Sequence, residues 1–210
     1  MSELLNRLGY LQTRRDRTPN LDLARILVAH DDIAGIREIA ENMWNDNKNI
    51  HGDCMNVMYE IGRVDPNLIT PYAADFIKFL KSKHQNMAQG AIIALSEVAK
   101  VKPDFIFKHL DEIKKVQETG SEIAVNKSIS ALAYTAAANE DYNNAIFPYL
   151  LQHLLSCYHK EVPEHAERIL PAVNENNNAE FIKTLEKRLE ELSGSDFTRL
   201  KKIIRIAENL

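Results

Sequence analysis

Cysteine and tryptophan are nearly absent from this chain of 210 residues: two of the first, Cys54 and Cys157, and one of the second, Trp44. Two thiols cannot build the disulfide framework of a small secreted domain. Glycine and proline are sparse too, at seven each, too few for the frequent tight turns of an all-β protein. No run approaches the roughly 18 apolar residues of a membrane-spanning helix. The N-terminal stretch MSELLNRLGYLQTRRDR has neither the unbroken apolar segment nor the small-residue cleavage site of a secretory signal. A cytoplasmic location without membrane attachment is the expectation. Charge of one sign is also lacking: 26 basic against 30 acidic residues give a net charge of −4, so there is no global surplus of cations to neutralise nucleic-acid phosphates. A glycine-rich phosphate loop, an HExxH motif and a GxSxG elbow are all missing. These absences point away from an enzyme and imply no cofactor.

What is present is an ordinary folding composition, 45% hydrophobic and 27% charged, which rules out general disorder. It is organised as an internal repeat. The segment beginning at Asn49 aligns with the one beginning at Asn86 at an offset of 37 residues, so that Ile50, Cys54, Met58, Ile61, Val64 and Pro66 fall on Met87, Ala91, Leu95, Val98, Val101 and Pro103. Ala124, Ser128, Leu132 and Thr135 continue the columns after another 37, and Val162, Ala166, Leu170 and Val173 after 38. In the second half of the unit, Ile69, Ile106, Ile146 and Ile182 make one column, and Tyr72, His109, Tyr149 and Leu185 the next. An earlier unit is legible from Pro19 to Asp46, with Leu23, Ile26 and Ala29 matching Met58, Ile61 and Val64.

Each half unit has helical spacing. Cys54, Met58, Ile61 and Val64 step by four, three and three, and Tyr72, Phe76 and Phe79 by four and three, so each set lies on one stripe of a helix. Val-Asp-Pro-Asn and Val-Lys-Pro-Asp break the unit in the middle. Proline ends the first helix, and Asn67 or Asp104 is placed to cap the second. Pro71 and Pro148 are expected in first turns, where a missing amide costs least. Gly120-Ser121 and Ser193-Gly194-Ser195 read as helix ends.

A helix pair of about 37 residues with proline and an acidic or amide residue in its middle turn resembles a HEAT repeat, most closely in VDPNLITPYAADFIKFL and VKPDFIFKHLDEIKKV. Armadillo repeats are near relatives of the pattern. The resemblance implies an all-α, right-handed α–α superhelix of about five stacked antiparallel helix pairs. They would form one domain over residues 1–210: an N-terminal cap helix over 1–17, helix pairs over 19–194 and a C-terminal cap helix over 195–210. It also implies a non-catalytic scaffold or adaptor that binds a protein partner along the surface of the second helices. Trp44, Tyr72, Lys78, His109, Lys115 and Tyr149 are the partner-binding candidates on that surface, because aromatic residues dominate binding energy at interfaces. Two other classes compete: a HEAT-like nucleic-acid-binding protein or DNA glycosylase, and the regulatory subunit of an obligate complex.

Clusters that suggest chemistry have plainer explanations. His153, Cys157, His159 and His165 come nearest to a metal site, and His153 and Cys157 share a helical face. The repeat columns, however, place both at core or border positions, so packing is favoured over a metal. Cys54 heads a column of small residues, Ala91, Ser128 and Ala166, where helices approach one another, and reads as packing rather than as a nucleophile. Arg14, Arg15 and Arg17 at one end, and Lys183, Lys187, Arg188, Arg199, Lys201, Lys202 and Arg205 at the other, read as solvated capping faces, with nucleic acid as the less favoured partner.

Overall fold

Short polar side chains set the boundaries of the elements. Asp32 accepts from the Gly35 amide at 2.8 Å, Asn47 from Asn49 at 3.0 Å, and Asn139 from Tyr142 at 2.9 Å. Each satisfies an amide that the first helical turn leaves without an intrahelical partner. The computed structural model describes residues 2–14 and 16–210. Among them are twelve α-helices and no strand. They are α1 (Thr18–Ala29), α2 (Ile33–Asn42), α3 (Lys48–Val64), α4 (Ala73–Leu80), α5 (Gln85–Val98), α6 (Pro103–Phe107), α7 (Leu110–Thr119), α8 (Glu122–Ala136), α9 (Glu140–Ser156), α10 (Val162–Ile169), α11 (Asn178–Leu189) and α12 (Gly194–Ala207). A 3-10 helix, Pro66–Tyr72, leads into α4.

In chain order they make five repeat units: α1 and α2, α3 and α4, α5 with α6 and α7, α8 and α9, and α10 and α11. Most second helices pack chiefly on the first helix that follows, α2 on α3, α4 on α5, α7 on α8 and α11 on α12, whereas α9 packs on α8. The chain is an armadillo/HEAT-like right-handed α-solenoid. The first helices α1, α3, α5, α8, α10 and finally α12 pack side by side in one unbroken row. The second helices lean mainly on the first helices flanking them and touch each other much less. A stack whose members crowd together in one layer and spread in the other curves toward the crowded layer. The row of first helices is therefore the inner face.

Small side chains make the crowding possible. Cys54, Ala91, Ser128 and Ala166 are all fully buried where successive first helices meet. Gly90 abuts Met55, and a Cβ there would overlap it. Larger apolar residues fill the space between the layers, among them Met58, Ile61, Ile69, Phe76, Leu95, Ile106, Ile113, Leu132, Ile146 and Phe181, each essentially without solvent contact. At about 25 cal/mol per Å² of apolar surface removed from water, the gain lies mostly between neighbouring units, since one pair cannot enclose its own stripes.

Several expectations require correction. Among the described residues of the stretch 1–17, only Leu5–Arg7 forms a helical turn, and it is 3-10 rather than the expected cap helix. The amides of Gly9 and Tyr10 are drawn to Asn20 Oδ1 at 2.9 Å and Asp53 Oδ2 at 2.7 Å, side chains that outcompete a local helix. Leu5 and Leu8 are nevertheless buried and cover the first pair. The column ending in Val64 leaves the core, for Val64 is 58% exposed and Val101 40%. Both sit where a first helix ends and no neighbour reaches. Asp65, rather than Asn67, caps the 3-10 helix, accepting from the Asn67 amide at 2.9 Å. Asp104 lies inside α6, whose N-cap residue Lys102 makes no side-chain cap. Neither proline occupies the first turn of an α-helix. Pro71 falls late in the 3-10 segment, and Pro148 lies in the middle of α9, on its exposed side, where water can serve the carbonyl left without an amide partner.

Overpacking the inner row tests this architecture. Ala91→Leu is expected to cost about 1–3 kcal/mol, and Ala34→Leu on an exposed surface less than about 0.5 kcal/mol. Urea midpoints of the two variants and the parent chain measure the difference.

Candidate interaction faces and the α9–α10 junction

The inner face carries a ladder of polar contacts, some within one first helix and others joining adjacent units. Arg17 donates to the Tyr59 hydroxyl at 3.3 Å, and Tyr59 in turn pairs with Asn56. Glu97 of α5, nearly buried, pairs with Lys100 and lies 3.6 Å from Lys127 of α8. Burial pushes the Lys127 ammonium below its ordinary value, partly offset by Glu97. Asn126 donates to Glu164 at 3.0 Å, and Arg168 bridges Glu164 at 2.6 Å and Ser130 at 3.3 Å. Glu167 receives Arg199 of α12. Arg63 lies over the Tyr59 ring at 5.2 Å, and Lys100 over Tyr134 at 5.1 Å. The buried Oδ1 of Asn126 has no hydrogen-bond partner among the described residues. A cavity of about 380 Å³ opens at the N-terminal end of this face, between Arg14, Arg17, Lys48, Asn56, Tyr59 and Gln89.

The residues singled out from the sequence lie on the other layer. Trp44 falls just past α2, half exposed, with its ring 4.2 Å from that of Phe79 and Lys78 Nζ 5.7 Å from its centre. Tyr72 is half-buried beside Arg37, and burial raises its hydroxyl pKa. His109 occupies the break between α6 and α7, with Nδ1 3.7 Å from Glu112 and its ring 4.8 Å from Phe105. Lys115 is exposed on α7. Tyr149 of α9 donates to Gln117 and stands beneath Lys114 Nζ at 4.6 Å. The Trp44–Lys78 and Tyr149–Lys114 contacts bridge neighbouring units. The three column residues Tyr72, His109 and Tyr149 each engage their own surroundings.

Sequence reasoning passed over the inner-face polar residues. A signal existed, because Gly52, Gln89, Asn126 and Glu164 form a column of their own, polar at three of four places and two residues ahead of the small-residue column.

The thiols are free, and burial pushes Cys54 up to about 12 and Cys157 up to about 11. Cys54 is a packing residue. His153, Cys157 and His165 converge where α9 turns into α10, whereas His159 lies against Tyr158 instead. Burial drives His165 down to about 4, leaving its imidazole neutral. Among the terminal basic residues, Arg15 lies outside the described residues. Arg14 pairs with Asp16 at 2.9 Å and Arg199 with Glu167. Arg188 is only 6% exposed: it donates to the carbonyls of Leu154 at 2.6 Å and Cys157 at 2.9 Å and pairs with Glu191 at 2.9 Å. It therefore closes the C-terminal end of α9, where a cation suits both the helix dipole and the free carbonyls.

No family model and no curated protein matches the sequence. Solved structures do match. A designed armadillo repeat protein in complex with a (KR)4 peptide superposes with a TM-score of 0.65 at 15% identity, over 99% of each chain. An engineered protein gives 0.63 at 17%, over 100% of this chain and 98% of its own. A computationally designed armadillo repeat protein for modular peptide recognition gives 0.63 at 12%, over 88% and 85%. At these identities the likeness establishes the solenoid fold. No helix among the described residues is long and apolar enough to cross a membrane.

Arg188→Met removes the clamp on α9 and is expected to cost about 2–3 kcal/mol, the worth of hydrogen bonds from a charged donor to buried carbonyls. Arg188→Lys recovers little of it, since one ammonium cannot reproduce the planar fork. Chemical denaturation followed by circular dichroism tests both.

Proposed function

We propose that this chain is a non-catalytic scaffold that binds an extended segment of a protein partner along its inner face. The observation that carries this reading is the polar ladder on the row of first helices, which presents hydrogen-bonding and charged groups at regular unit spacing beside half-exposed Tyr134 and the exposed Arg63. An extended polypeptide advances by about 3.3 Å per residue, so it offers backbone and side-chain groups to several units at once. The designed armadillo proteins of the same fold that recognise peptides support the choice of ligand. The second-helix face, expected from the sequence, is the less favoured surface: half-exposed Trp44 already packs on Phe79 beside Lys78, and Tyr149 is engaged by Lys114 and Gln117. A cytoplasmic location accords with two free thiols.

Panning a random peptide library against the intact chain tests this. Selected peptides are expected to lose at least about tenfold in affinity, roughly 1.4 kcal/mol, with Arg63→Glu or Tyr134→Ala and to tolerate Trp44→Ala and Lys78→Glu. The opposite pattern would return the site to the second helices. Failure to select any saturable binder would contradict the scaffold reading.

A further inference from the structure

The junction between the fourth and fifth pairs holds a constellation that peptide binding does not use. His153 lies in the last turn of α9, Cys157 is the first residue beyond it, and His165 comes from α10. One ligand atom from each lies within 4.8 Å of the other two. The two imidazoles are tilted by 42° with centroids 4.8 Å apart, and His153 Nε2 lies 3.0 Å from His165 Nδ1. That spacing is close to the distance between two nitrogens on a tetrahedral zinc ion, about 3.3 Å for bonds of 2.0–2.1 Å. The Cys157 sulfur lies within 4.8 Å of both imidazoles and 3.8 Å from the Leu154 carbonyl, a weak contact it gives up to bind the ion.

We infer that His153, Cys157 and His165 form a zinc site that ties α9 to α10. Two imidazoles and one thiolate make a donor set of borderline softness, suited to zinc rather than to magnesium or calcium. Water or the nearby Glu161 carboxylate completes four-coordination. The cation of Arg188, whose Nη2 binds the Cys157 carbonyl at 2.9 Å, favours the thiolate.

The surroundings fit a ligand shell. Gln117 Nε2 lies 2.6 Å from His153 Nδ1, and its Oε1 receives the Tyr149 hydroxyl. With zinc on Nε2, His153 carries its hydrogen on Nδ1 and must donate. Turning over the Gln117 amide satisfies this: His153 Nδ1–H donates to Gln117 Oε1, Gln117 Nε2–H donates to the Tyr149 oxygen, and Tyr149 O–H donates to the adjacent Glu118 carboxylate. Metal-bound histidines are oriented through their second nitrogen in this way. The balance is simple. The thiol releases its proton to solvent, both imidazoles bind in neutral form, and one proton leaves per ion bound.

The test adds Co²⁺, then Zn²⁺, to the reduced, chelator-treated full chain. Expected are one equivalent of tight Co²⁺ uptake, visible ligand-field bands of a tetrahedral ion and a thiolate-to-cobalt charge-transfer band in the near ultraviolet, all displaced by Zn²⁺. Calorimetry in buffers of different ionisation enthalpy is expected to report one proton released. Zinc at saturation raises the melting temperature by about 5 °C or more. Cys157→Ser abolishes the charge-transfer band and His153→Gln weakens uptake at least tenfold, while both keep the helical spectrum of the parent. Gln117→Leu retains the band but lowers affinity. No stoichiometric uptake by the parent chain, or uptake and charge transfer unchanged in Cys157→Ser, overturns the assignment; a variant that unfolds leaves the parent-chain titration to decide.

Discussion

Close approach of the first helices over Cys54, Ala91, Ser128 and Ala166 is the contact on which everything else depends. Only small side chains in that column allow α3, α5, α8 and α10 to lie side by side. Larger residues, Met58, Leu95 and Leu132, then point between the layers and seal against the second helices. No pair could do this alone, because a two-helix unit leaves much of its apolar stripe in water. The crowding of one layer also sets the curvature, and the curvature decides which side chains line the inner face.

Two kinds of feature follow from that arrangement. Regular ones recur with the unit: Glu97 with Lys127, Asn126 with Glu164 and Ser130 with Arg168 each link one first helix to the next. They are half-exposed or nearly buried, so they fix the register between units and still offer charge and hydrogen-bonding capacity at the surface. The irregular feature is the α9–α10 junction, where Arg188 holds the last carbonyls of α9 and the His153–His165 pair crosses to the next helix. α10 is short, eight residues, and buries less than the long first helices before it. Cross-links at this joint supply what its apolar contacts lack.

The repeat period and helical class were legible, because burial imposes the 37-residue column pattern directly on residue type; that most second helices would pack chiefly on the next unit's first helix was not. Details at element ends were not. The stretch around Leu4, Leu8 and Leu11 has helical spacing, yet Asn20 and Asp53, distant in sequence, take its amides. Val64 and Val101 continue the apolar stripe, but no neighbour extends far enough to cover them. The second-helix face looked richer because its aromatic residues stand out in a column. Which layer is inner depends on how closely helices pack, a property carried by inconspicuous alanines and serines. His153 and Cys157 illustrated the same limit: their columns predict core positions, and only the path of the turn after α9 shows that His165 joins them while His159 does not.

Amide hydrogen exchange, resolved by residue under native conditions, tests the inner row most directly. If that row is the source of stability, protection peaks in α5 and α8, flanked on both sides, and declines toward α1 and α12, with α4, α6 and α7 exchanging faster than the first helices they cover. Greatest protection in the second layer, or at either end of the stack, would contradict it.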